Sequence, residues 1–128
     1  MREAHAERYY DEICHRKPEY VIEKIAKNIN VSEKVASDVY NHVFVERHTF
    51  RNGEYKKFSP EYNMAESFRR ILDGKNIQPH DIVLIMHENL ELNLMRKYNM
   101  VYEEAHELTV KKYDYDAALK EFLRRGGD

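Results

Sequence analysis

The chain has 128 residues, the usual size of one domain and enough for one core. Hydrophobic residues make up 42% and charged residues 34%, the balance of a globular protein with a well-charged surface, and 21 Lys and Arg against 23 Asp and Glu leave a formal net charge of -2. That excludes a global basic field for nucleic acid and any strongly acidic character, and the single cysteine, Cys14, excludes an internal disulfide and fits a reducing compartment.

Few glycines and prolines and little β-branched alternation predict a mainly helical protein. Residues 2–13 read as a first helix. It opens on a segment, Met1 to Glu7, without an apolar signal core. No run reaches the roughly 20 apolar residues of a membrane span, so the expected location is cytoplasmic, with no membrane partner. Pro18 suits the first turn of a second helix that runs to about Asn28, with Val21, Ile22, Ile25 and Ala26 on one face. Ser32 is a good N-cap for a third helix, Glu33 to Glu46, which carries Val35, Val39, His42 and Val43 on one face. Together, residues 18–46 have the layout of a helix-turn-helix, although only Lys34 on the second helix suits base reading.

From Arg47 to Ser59 the helical pattern breaks. Asn52-Gly53 is a turn dipeptide between Thr49-Phe50 and Tyr55, so an irregular loop with a short hairpin is expected, and Arg47, Arg51, Lys56 and Lys57 make it the most basic segment. Ser59-Pro60-Glu61 predicts the cap and first turn of a fourth helix that stops at Gly74. Pro79 opens a central helix to about Lys97, apolar round most of its circumference through Ile82, Val83, Ile85, Met86, Leu90 and Leu94. A helix of that kind is packed on several sides. A sixth helix over about 101–113 and a last one over about 116–125 complete the chain: one all-α domain, 1–128, of about six helices.

The central helix also carries His87, Glu88 and Glu91. On a helix, residue i+4 lies about 40° round from residue i, so His87 and Glu91 point the same way, and this is the helical His-Glu-x-x-His metal motif with Glu in place of the second His. His106 lies on the next helix with Tyr102 and Thr109, with Glu103 three residues before it, and two helices joined by a short turn are antiparallel neighbours. Two chemistries are open. In one, His87, Glu91 and His106 bind a divalent metal such as zinc and Glu88 is the general base. In the other, a His and a Glu act as acid and base, with His42 or His48 arriving from the third helix and its loop, and Arg70 or Arg51 steadies an anion. The plain alternative is a set of surface charges and core-edge histidines, with Glu91 paired to Arg96 or Lys97.

An ordered string of residues adds a resemblance. Asn41-His42-Val43-Phe44, Glu46-Arg47-His48, Phe58-Ser59-Pro60-Glu61-Tyr62, Met64-Ala65, Arg70-Ile71, Asp73-Gly74, Asp81 to Leu84, His87-Glu88, Glu91 and Tyr102 to His106 resemble a domain of phage head-morphogenesis (minor capsid) proteins and bacterial polymorphic toxins. The resemblance covers about residues 8–115, with Phe68 where that pattern has a tryptophan. It implies a phage- or mobile-element-associated effector whose polar positions are His42, His48, Arg70, Asp81, His87, Glu88, Glu91 and His106. The functions to be weighed are therefore a hydrolase, either nuclease or peptidase; a non-enzymatic module that binds a protein or DNA; and a structural appendage of a phage particle.

Overall fold

A computed structural model describes residues 2–127. Among them are seven α-helices, one for each helical segment read along the sequence although the total expected there is about six: α1 (Arg2–His15), α2 (Pro18–Ile29), α3 (Glu33–Tyr40), α4 (Tyr62–Asp73), α5 (Pro79–Tyr98), α6 (Tyr102–Val110) and α7 (Tyr115–Arg124). None of these is long and apolar enough to cross a membrane.

Local chemistry sets most of the boundaries. Asn30 closes α2 in the left-handed region, at φ 63°, and the Ser32 hydroxyl accepts from the Val35 N–H at the start of α3. α4 begins later than expected. The cap is the Glu61 carboxylate, which accepts from the Met64 N–H at 2.7 Å, so Ser59 and Pro60 stay outside the helix. Gly74 ends α4 at φ 68°, and its N–H donates to the Arg70 carbonyl at 2.9 Å.

The third helix does not run regularly to Glu46. After Tyr40 it widens into a π turn, Asn41–Val45, in which the Glu46 N–H donates to the Asn41 carbonyl five residues back at 2.8 Å. This turn is packed from two sides, by α1 and by α5. Phe44 meets Tyr10 and Phe68 edge-on, while the neighbouring His42 faces α5. The loop that follows holds the short hairpin, β1 (His48–Thr49) against β2 (Tyr55–Lys56), antiparallel with His48 opposite Lys56. Gly53 turns it at φ 90°.

Ile13, Val21, Ile25, Val39, Phe68, Ile71, Leu84 and Ile85 form the centre of the core. α5 runs through the middle and packs on α3, α4, α6 and α7. Its buried face is not the apolar belt that the sequence suggests. Ile82 is 45% exposed, whereas His80, Asp81, His87, Glu88 and Glu91 are buried beside Leu84, Ile85 and Leu92. The core of this bundle is therefore built partly from ionisable groups, which need partners to be tolerated there.

Candidate metal centre

Glu91 stands at the middle of the polar part of the core, 1% exposed. Its Oε1 accepts from His42 Nε2 at 2.8 Å, and its Oε2 lies 3.1 Å from His87 Nε2 and 3.0 Å from His106 Nδ1. α5 supplies His87 and Glu91 one turn apart, α6 supplies His106, and the π turn supplies His42. The expected convergence of His87, Glu91 and His106 is what the fold produces. The alternative pairing of Glu91 with Arg96 is not: Arg96 binds Asp38 and Glu46 at 3.2 Å.

Glu88 joins the cluster on the His42 side. Its Oε2 is 3.4 Å from His42 Nε2, but that N–H already serves Glu91, so the oxygen has no hydrogen-bond partner among the described residues. Burial, and next the charge of Glu91, raise the Glu88 carboxyl well above the ordinary carboxylate range. Burial would raise Glu91 as well, yet the hydrogen bonds from His106, His42 and His87 together hold it below that range. The two neighbouring carboxyl groups are thus pushed in opposite directions: the three imidazoles favour the charged form of Glu91, and burial favours the neutral form of Glu88.

The histidines are oriented from outside the cluster. His87 Nδ1 donates to the Tyr113 carbonyl at 2.8 Å, which turns Nε2 toward Glu91. This outer contact is the usual way a ligating imidazole is fixed. Burial lowers the proton affinity of His87, but Glu91 and Glu88 outweigh it and the net direction is up. For His106 the Glu91 hydrogen bond comes first, and its proton affinity is also raised.

The remaining candidates are placed differently. His48 is buried and stacks on Phe58 at 4.3 Å, and its Nε2 donates to the His42 carbonyl at 2.7 Å. It holds the π turn rather than a reacting group. Burial lowers its proton affinity. Arg70 is not free to steady an anion beside the cluster. Its guanidinium makes two 2.8 Å hydrogen bonds to Asp81 and a 3.0 Å contact with His80, in a separate buried network between α4 and α5. Arg51 is exposed; its backbone N–H donates to Glu103 at 2.7 Å. Cys14 is exposed, and its thiol donates to the Phe44 carbonyl at 3.9 Å.

Two sets of ligand atoms could hold a metal ion, each with its atoms within 4.8 Å of one another: His87, Glu91, His106 and His42, Glu88, Glu91. The first opens to a cleft of about 600 Å³ lined by His87, Glu88, Tyr102 and His106, with Glu61, Asp114, Asp116 and Lys120 among its charged residues. Tyr102 is a site residue that the sequence pattern does not mark by chemistry, although its spacing of four from His106 places it there. Its hydroxyl is 3.3 Å from His106 Nδ1. A comparison with protein families, with curated proteins and with solved structures finds no match for the chain.

Proposed function

We propose that the chain is a metal-dependent hydrolase domain of the effector kind implied by its resemblance to phage head-morphogenesis proteins and polymorphic toxins. His87, Glu91 and His106 are the ligands to a divalent ion such as zinc, and Glu88 is the general base. One observation carries this reading: a buried carboxylate, Glu91, faces imidazoles from three separate chain segments, and a second buried carboxyl, Glu88, stands beside it unpaired. A core that served packing alone would be filled more cheaply by apolar side chains. Two imidazoles and one carboxylate form a ligand set that leaves a coordination position open.

An ion held there supplies Lewis-acid polarisation of the bond to be cleaved. The protein's residues do the rest. Tyr113 orients His87 through its carbonyl, and His48 anchors the backbone of His42. Glu88 takes up and returns a proton, a part suited to a buried carboxyl whose proton affinity is raised above the ordinary carboxylate range. Tyr102 stands on the cleft wall with a hydroxyl that can donate to the substrate.

The charge of the cleft favours a peptide over a nucleic acid as substrate. Outside the ligand set it presents Glu61, Asp114 and Asp116 against Lys120 alone, a field that repels phosphates. The helix-turn-helix-like pair gives the same answer. The groove between α2 and α3 is lined by Glu19, Glu23 and Glu33, and Lys34 is paired with Asp38 at 2.8 Å. The test compares wild type with Glu88→Gln and His87→Ala for toxicity on expression, for bound metal, and for cleavage of unfolded protein against single-stranded nucleic acid. Bound metal, with toxicity and proteolysis lost in both variants, is expected. A wild type that holds no metal and is as harmless as the variants removes the proposal.

A further inference from the structure

We infer that this centre holds two divalent cations, with the Glu91 carboxylate bridging them. The inference rests on the metal-centre reading above, extends it from one ion to two, and replaces the base role of Glu88 there with that of a ligand. Glu91 offers its oxygens in two directions. Oε2 faces His87 Nε2 and His106 Nδ1 at 3.1 and 3.0 Å; Oε1 faces His42 Nε2 at 2.8 Å, with Glu88 Oε2 a further 3.4 Å from that nitrogen. The two sets of ligand atoms share Glu91 and no other residue. In two-metal hydrolases the ions stand about 3.5–4 Å apart and clamp the attacking and leaving oxygens together.

An independent observation points to the second ion. Glu88 is 5% exposed, and its Oε2 is sealed from solvent without a hydrogen-bond partner among the described residues. The nearby donor, the His42 N–H, is committed to Glu91. A cation between Glu88, Glu91 and His42 gives that oxygen a partner with atoms already in place. Ligation through His42 Nε2 moves the ring's proton from Nε2 to Nδ1, which has no partner among the described residues in either form, and the ring is placed by packing, edge-on to His48 at 4.5 Å and to Phe58 at 5.1 Å.

The two positions differ in chemistry. The His87, His106, Glu91 position has two nitrogens and one oxygen and suits zinc. The His42, Glu88, Glu91 position has one nitrogen and two oxygens, is harder, and suits manganese as well. In the two-ion form Glu88 is a ligand; in the one-ion form it remains the base.

The full chain, stripped with chelator, is equilibrated with Mn²⁺ and separately with Zn²⁺, and bound metal is measured by elemental analysis. Electron paramagnetic resonance is recorded on the Mn²⁺ form. Two ions per chain are expected, with the spectrum of an exchange-coupled pair. In Glu88→Gln the stoichiometry falls from two to one and the coupling is lost, while circular dichroism shows the fold retained. One ion per chain with an isolated-ion spectrum in the wild type overturns the two-ion inference and leaves the single-ion reading standing. Two uncoupled ions, or two ions retained in Glu88→Gln, also overturn it, because the second ion then lies elsewhere. No bound ion in the wild type overturns both readings, and that outcome needs no variant to fold.

Discussion

Glu88→Gln should make the metal-free protein more stable at neutral pH, although it removes a residue from the proposed centre. Glu88 is 5% exposed, one carboxyl oxygen has no partner among the described residues, and burial beside Glu91 raises its proton affinity. An acid raised in this way folds with more bound protons than the unfolded chain carries. Its penalty is therefore absent below its ordinary value of 4.5 and grows as pH rises toward its folded value. At pH 7 the penalty is capped at about 3 kcal/mol, at 1.36 kcal/mol for each pH unit above 4.5, because beyond that cap the carboxyl folds protonated. Gln fills the same volume and has no charge to desolvate. The expected gain is up to about 3 kcal/mol at pH 7, or up to roughly 12 °C in Tm for a chain of this size. The assay is urea denaturation of both proteins in chelator across the range from about pH 4 to pH 8. The gain should vanish toward pH 4.5 and rise with pH. With saturating Mn²⁺ or Zn²⁺ the order should reverse, since ligand binding stabilises the wild type more. A variant no more stable than wild type at pH 7 in chelator, or a gain of equal size at acid pH, would refute the reasoning.

Two further predictions separate the scaffold from the centre. Asp81→Asn leaves the Arg70 guanidinium buried without its carboxylate, in a pair whose side chains are 9% and 0% exposed, and should cost about 3–5 kcal/mol while metal stoichiometry stays unchanged. A loss under about 1 kcal/mol in the urea midpoint, or a loss of bound metal, would show that the pair has another role. Gly74→Ala should cost about 1–2 kcal/mol, because Gly74 holds φ 68° and an added Cβ would come within 3.0 Å of Asn28 Nδ2, which donates to the Ile71 carbonyl at 2.7 Å. Gly53→Ala, at φ 90° with nothing near its Cβ, isolates the backbone part of that cost; equal losses at the two positions would rule out the Asn28 contact as a contributor.

The helices themselves are legible in the residue order. Ser32, Gly74 and Pro79 mark ends where the caps are made by neighbours in the chain, and such short-range chemistry survives whatever packs around it. The pairing of His87 with Glu91, and of Tyr102 with His106, is legible for the same reason: a spacing of four on a helix fixes a shared direction. Where Ser59 and Glu61 compete to cap α4, the local signal is ambiguous, and the carboxylate wins.

What the tertiary structure alone decides is which side chains meet across helix axes. Periodicity gives an angle about one axis and nothing about the rotation of the next helix. Hence it places His42 inward without showing that a π turn carries it to Glu91, and it groups His48 and Arg70 with the site when packing gives one to the His42 carbonyl and the other to Asp81. The apolar residues round α5 likewise suggest a greasy belt. The packing instead buries its ionisable face, His80, Asp81, His87, Glu88 and Glu91, because those groups can be partnered from α4, α6 and the π turn while Ile82 is left 45% exposed at the surface.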